Sequence, residues 1–332
     1  MKFLVIGLGS MGKRRIRNLR HLGEKDIIGW DIKKDRRKEC KEKYKIKTFD
    51  YIDKAMDEKP DVLIISTPPN YHIDYELLAA KNDKHFFCEA GIFTKGVEEL
   101  VNLCKNKNLI AAPSCTFRFK GSIRKIKELI DDEKIGKVVA LTYHIGQYLP
   151  DWHPWEHISK FYVGKRETSA TREMIPFELE WLTWIFGEIK RISCMKGKIS
   201  NLPADIDDVY QLIFQFKNGI IGHLLIDVIS RTPTRILRVV GEKGTIEWNW
   251  IDDSVRLYVA EKKEWIEFKE QEGFREEGYI AKENIYIEEM QNFIKSIKGE
   301  EKYIYSLEEY LKILKLLEAA EESSDRQKHI SL

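Results

Sequence analysis

The sequence predicts a two-domain α/β protein: a doubly wound parallel sheet, then an α+β domain with a large, mainly antiparallel sheet. Three observations carry this. Strands and helices alternate as far as residue 112, a glycine-rich turn opens the first helix, and after Pro113 long strands follow one another instead.

The elements follow in order. The apolar run at 2–6 leads into a helix at 11–22, with Ile16 and Leu19 on its inner side. Strand 27–31, a charged helix at 34–44, a short strand at 46–49 and a helical turn holding Ile52, Ala55 and Met56 come next. Residues 62–66 (VLIIS) are apolar on both faces, as a central parallel strand must be. Helix 72–81, strand 85–89, helix 97–107 and strand 109–112 complete the alternation. Helix 121–131 is amphipathic through Ile123, Ile126, Leu129 and Ile130. Strands are then expected at 138–147, 189–199, 209–216, 220–228 and 236–240, with Asn218-Gly219 forming a two-residue hairpin turn. Helices at 284–297 and 307–323 close the chain. The change of pattern divides it into domains 1–118 and 119–332.

Composition narrows the functional classes. A chain of 332 residues suits two domains, and 43% hydrophobic content excludes general disorder. The net charge of +2, from 56 basic and 54 acidic side chains, gives no broad attraction to nucleic acid or anionic membrane. No stretch approaches the ~18 consecutive apolar residues of a membrane span. The N-terminal apolar run is too short for a signal peptide and is broken by three glycines. Five scattered cysteines without a C-x-x-C pair point to reduced thiols, and the expected compartment is cytoplasmic.

The turn Gly7-x-Gly9-x-x-Gly12, with Ser10 and Met11 inside it, follows a strand and opens a helix. Gly7 permits the tight turn, Gly9 a close approach of backbone to pyrophosphate, and Gly12 close helix–strand packing. The helix N-terminus supplies unpaired N–H groups and partial positive charge. Asp31, nineteen residues after Gly12, ends the second strand, where a carboxylate accepts hydrogen bonds from the adenosine ribose hydroxyls and repels a 2′-phosphate. Together these read as a Rossmann domain for NAD(H). Lys33, Lys34 and Arg36 nearby leave a route by which a 2′-phosphate would be tolerated. The Thr67-Pro68-Pro69-Asn70-Tyr71-His72 loop ends the fourth strand, where ligands bind in such sheets. Thr67, Pro68, Asn70 and His72 are therefore cofactor-binding candidates, the alternative being a rigid strand-to-helix turn with His72 at the helix start.

With GLGSMG at 7–12, STPPNYH at 66–72, FCEAG at 87–91, FRF at 117–119, IGKV at 135–138 and the ending SLEEYLKILKLLEAAEESS, the chain resembles the glucose–fructose oxidoreductase/inositol dehydrogenase/rhizopine catabolism (Gfo/Idh/MocA) family. The resemblance implies a Rossmann domain joined to a C-terminal sheet domain that forms homodimers or homotetramers. It also implies NAD(P)-linked chemistry on a hydroxyl of a sugar, cyclitol or nucleotide-sugar. By the same resemblance, Glu89 lies near the nicotinamide ribose. Two departures stand out. Where the family has Glu-Lys-Pro, with the lysine assisting proton transfer, this chain has Glu89-Ala90-Gly91. Where the family has D-x-G-x-H-x-x-D, the match runs from Glu173 to Glu180 and puts Phe177 at the catalytic histidine.

A base must therefore be sought elsewhere. Residues 151–166 are rich in aromatic and ionisable side chains. Trp152 and Trp155 suit the apolar face of a sugar ring, and His153 and Lys165 are candidate catalytic groups, unless the loop is a packing or subunit contact. His153 and His157 are four apart, but Pro154 and the lack of a cysteine partner argue against zinc, so no metal is expected. Glu173 shares a helix face with Phe177 and Glu180. It is either a base raised in pKa by desolvation or an acid favourable to the helix dipole. Arg118 and Arg172, like Lys165, are candidates for an anionic substrate group or are surface charges. Two functional readings follow: an NAD-dependent oxidoreductase with a non-standard proton relay, or a non-catalytic NAD-responsive regulator of the same fold. The family includes a yeast galactose-pathway repressor of the second kind.

Overall fold

The computed structural model describes residues 1–152, 157–270, 273–274 and 282–332. The chain divides into two compact units, Met1–Phe119 with Gly273–Lys312, and Lys120–Glu272 with Ile313–Leu332.

The first unit begins β1 (Phe3–Ile6), α1 (Ser10–His21), β2 (Ile27–Trp30), α2 (Lys34–Tyr44), β3 (Lys47–Phe49), α3 (Ile52–Met56), β4 (Val62–Ile65), α4 (His72–Lys81), β5 (His85–Cys88), α5 (Val97–Lys107) and β6 (Ala111–Pro113). Its strands form one parallel sheet in the order β3-β2-β1-β4-β5-β6. All four residues of β1 and all four of β4 are buried, which is why both read as uninterrupted apolar runs. Strand order reverses between β1 and β4, and that switch opens a crevice at the carboxyl ends of the strands.

The second unit contains α6 (Gly121–Asp131), β7 (Val138–Tyr148), α7 (Ala170–Phe186), β8 (Ile189–Gly197), β9 (Val209–Phe216), β10 (Ile221–Asp227), β11 (Ile229–Gly241), β12 (Gly244–Asn249), β13 (Ser254–Val259) and β14 (Glu264–Lys269). Along β9 Tyr210, Leu212, Phe214 and Phe216 are buried at alternate positions, the mark of a sheet covered on one face. Gly219 adopts φ +97° in the β9–β10 hairpin, as the Asn-Gly pair requires. Among the described residues every pairing between strands of this sheet is antiparallel except β7 with β10.

The chain then returns to the first unit. Helix α8 (Asn284–Ile297) places Met290, Phe293 and Ile294 in the core that holds Phe3, Val5 and Phe87. The sequence reading gave all of 119–332 to the second domain. Amphipathic periodicity reveals that such a helix packs, but not which sheet receives it. Helix α9 (Leu307–Arg326) starts in the first unit and ends in the second, and β15 (Ile330–Ser331) adds to the sheet edge at β8, completing the order β14-β13-β12-β11-β7-β10-β9-β8-β15. Among the described residues no helix is long and apolar enough to cross a membrane.

Candidate cofactor and active site

Four strand ends supply the candidate residues of the first unit. After β1, Gly7 takes φ +90°, and a Cβ there would lie 2.6 Å from the Ser66 carbonyl oxygen. A Cβ on Gly12 would overlap the Gly7 carbonyl, so the start of α1 lies directly on the turn. Gly9 caps α1 without a side-chain hydrogen bond, and the first turn holds no acid. The first N–H groups of α1 thus keep their positive potential for an anion. Ser10 is exposed and Met11 half-buried at this helix head. The Arg36 guanidinium lies over Gly9, 3.3 Å from where a Cβ would stand.

After β2, Asp31 is buried, but its carboxylate keeps an ordered shell. Oδ2 accepts the Leu8 N–H at 2.7 Å and Oδ1 the Lys33 N–H at 2.7 Å. Arg36 Nη1 stands 3.5 Å from Oδ2. One backbone donor per oxygen fixes the carboxylate plane and leaves each oxygen able to accept again. A rigid, twice-bonded acid beside a bare glycine turn fits the ribose and pyrophosphate of NAD.

After β4, the Thr67 hydroxyl is inaccessible and has no hydrogen-bond partner among the described residues, so a buried oxygen still seeks one. Pro68 is half-buried and extended, and Asn70 is exposed. His72 corrects the sequence reading, which offered it to the cofactor. It is 4% exposed and its Nε2 bonds the Thr67 carbonyl at 2.8 Å, so it fastens the loop from within. Burial pushes its pKa down to about 4, with the Thr67 bond and Glu89 opposing, and the ring stays neutral.

After β5, Glu89 takes a bidentate pair from Arg15, Nε to Oε1 at 2.7 Å and Nη2 to Oε2 at 2.9 Å. Arg15 is fully buried and also reaches Glu289 of α8 at 2.9 Å. Glu289 in turn accepts from Ser114 Oγ (2.9 Å), Cys115 N (2.7 Å) and Thr116 Oγ1 (3.1 Å). Burial works against the Arg15 charge, but the two carboxylates outweigh it and raise its pKa.

In the second unit the candidates gather at the head of α7. Ser169 caps the helix by accepting the Arg172 N–H at 3.3 Å. Glu173, half-buried in the first turn, accepts the Tyr162 hydroxyl at 3.2 Å. Trp152 is half-buried, and its indole N–H is inaccessible and unpaired among the described residues. His153 and Trp155 lie outside the described residues.

Two family models match this chain. Residues 1–114 match the oxidoreductase family, NAD-binding Rossmann fold, and residues 123–247 match the GFO/IDH/MocA C-terminal domain. The chain belongs to the Gfo/Idh/MocA oxidoreductase family. It is similar to myo-inositol 2-dehydrogenase of Thermotoga maritima, at 24% identity over 100% of this chain and 98% of the relative. Its fold is that of an oxidoreductase from Agrobacterium radiobacter solved with NAD+, L-tartaric acid and magnesium (TM-score 0.88, 14% identity, covering 100% of this chain and 98% of that one). It is equally that of levoglucosan dehydrogenase solved with NADH and levoglucosan (TM-score 0.86, 16% identity, 100% and 99% covered).

Within this Gfo/Idh/MocA member, two sequence candidates change role. Arg118 is 2% exposed, donates to the Ile304 carbonyl at 2.7 Å and lies 4.5 Å over the Tyr305 ring, so it braces the first unit and is not offered to an anion. Arg172 is held by Glu321 (2.7 and 3.2 Å) and by the Glu167 carbonyl (2.7 Å), so its charge is already paired within this unit. The Lys165 side chain is exposed and makes no ion pair among the described residues. A hydrated ammonium on a flexible stem holds no fixed direction. Sequence reasoning missed Tyr162, Arg15 and Glu289. It also missed Glu178, fully buried and accepting from Tyr143 (2.7 Å), Trp181 (2.8 Å) and Arg235 (2.7 Å). An acid flanked by Met174, Ile175, Leu179 and Leu182 was the available signal. Among the described residues no three acidic, His or Cys side chains form a metal-sized group.

Proposed function

We propose that this protein is an NAD-dependent dehydrogenase or reductase. It transfers a hydride to or from a hydroxyl-bearing carbon of a carbohydrate or nucleotide-sugar, with Glu173 as the proton-accepting group. The observation that carries the reading is the Tyr162–Glu173 pair, a hydroxyl on a half-buried carboxylate at the place of the family's histidine-containing motif. NAD+ when bound supplies the hydride acceptor, and NADH the donor in the reverse direction. Asp31 accepts hydrogen bonds from the adenosine ribose, the Gly7–Gly12 turn and the head of α1 face the pyrophosphate, and Thr67 and Glu89 serve the other half of the dinucleotide. As the carbinol carbon gives up hydride, its O–H proton passes to Glu173, with Tyr162 holding the carboxylate in direction. Glu173 thereby stands in for Ala90 and Phe177, neither of which carries a proton.

The proposed assembly is a homodimer or homotetramer through the second unit's sheet. Ile213, Ile221, Ile236 and Val240 are each at least 40% exposed, and Ile221 and Val240 flank Ala140 on adjoining strands. Light scattering that found a monomer would remove this part of the reading.

Turnover of NADH or NAD+ against a panel of sugars and nucleotide-sugars tests the activity. Glu173→Gln should lower kcat at least about 100-fold with NADH affinity unchanged. Undiminished turnover in that variant would end the role given to Glu173. The loss of both family proton-transfer residues favours a second reading, a non-catalytic NAD-responsive binder. NADH binding with no turnover on any panel member would select it.

A further inference from the structure

We propose that Tyr310 is a positioning residue for the nicotinamide end of the cofactor site, holding the Glu89-Ala90-Gly91 loop through a contact that only glycine at 91 permits. The inference rests on NAD lying along the parallel sheet as read above. Its direction follows from strand order. With adenosine at Asp31 after β2 and pyrophosphate at the glycine turn after β1, the rest of an extended dinucleotide runs past the ends of β4 and β5. The loop leaving β5 is Glu89-Ala90-Gly91.

That loop is pinned at both ends. Glu89 is held by the buried Arg15 fork. Gly91 is buried, and the Tyr310 hydroxyl lies directly over its Cα, in the space a side chain would take. A Cβ on Gly91 would overlap that oxygen, with the ring carbon bearing it 3.3 Å away and His72 Nδ1 at 3.5 Å. Tyr310 is itself 5% exposed and packs edge-on against Tyr305 at 6.3 Å between centroids. Arg118 lies across Tyr305, so the brace continues to a third residue. A side chain at 91, proline included, and the Tyr310 hydroxyl thus compete for one space. The chain's departure from Glu-Lys-Pro is therefore a packed alternative. Tyr310 fills the space where the family's proline would stand, and Ala90 is presented between two fixed points.

The test uses the full-length protein with two probes: NADH, and ADP-ribose, which lacks the nicotinamide. Gly91→Ala should weaken NADH at least about tenfold while ADP-ribose stays within about twofold, and should reduce the emission change of bound NADH. Tyr310→Phe removes the competing oxygen, so Gly91→Ala/Tyr310→Phe should bind NADH more tightly than Gly91→Ala alone. A general loss of fold would weaken both probes together, and thermal melting is recorded alongside. If Gly91→Ala does not fold, Tyr310→Phe decides alone: it removes the oxygen packed over Gly91, loosens the loop there, and should weaken NADH several-fold more than ADP-ribose. Equal effects on both probes, no effect on NADH, or a double variant no better than Gly91→Ala would overturn the proposal. A wild type that bound neither probe would instead sink the NAD reading beneath it.

Discussion

At the scale of single residues, the cofactor turn was legible because its demands are local. A positive φ at Gly7 and a close approach at Gly12 require glycine wherever they occur, so the spacing alone announces them. The environment of His72 was not legible, since nothing in STPPNYH tells whether a ring points to ligand or to core. Its burial, with that of Glu76, predicts a pH dependence. Burial lowers His72 to about 4, so the folded state holds fewer protons than the unfolded chain between there and the ordinary histidine range near ~6.5. Stability should fall as pH drops through that window. Burial raises Glu76 to about 7, with its bond to Cys88 opposing. Here the folded state holds the extra proton, and stability should fall as pH rises from the ordinary glutamate range near ~4.3 towards 7. Melting curves of His72→Gln and Glu76→Gln should each lose one of these arms and keep the other. If both variants follow the wild-type profile, neither group carries the dependence.

At the scale of elements, α7 shows what periodicity can and cannot deliver. Its capping serine and apolar spacing make the helix predictable, and Glu173, Phe177 and Glu180 do share a face by their spacing. The deciding partners come from elsewhere in the chain: Tyr162 for Glu173, and Tyr143 with Arg235 for Glu178. Glu178 links α7 to β7 through Tyr143 and to β11 through Arg235, and Trp181 of α7 itself also donates to it. Replacing it with alanine should leave the Arg235 charge and two buried donors without their acceptor, at a cost of about 3–5 kcal/mol. Chemical denaturation measures this, and a loss under about 1 kcal/mol would show that water or a neighbour repairs the gap. Long-range bonds of this kind also hold the two arginines that the sequence offers to an anion. Arg172 reads as a surface charge until Glu321 is placed beside it.

At the scale of the whole molecule, the succession of strands and helices gave the two kinds of sheet correctly, because each kind leaves its own period in the chain. The second appearance of the first unit left no such trace. Arg14 and Glu283, which pair at 2.9 Å, are 269 positions apart, and no local pattern encodes a partner at that distance. That late return has a consequence for biosynthesis. Arg15 is a wholly buried cation between two acids, and one of them, Glu289, is translated only after β7 to β14 of the second sheet. Until it emerges, a nascent 1–119 must either keep that guanidinium in water or bury it half-neutralised, so the nucleotide-binding half should wait for the far end of its own message. Residues 1–119 expressed alone should show no cooperative melting, whereas joining 1–119 to 273–312 with a flexible linker should restore it. A stable, NADH-binding 1–119 fragment would show that the early half needs no such delay.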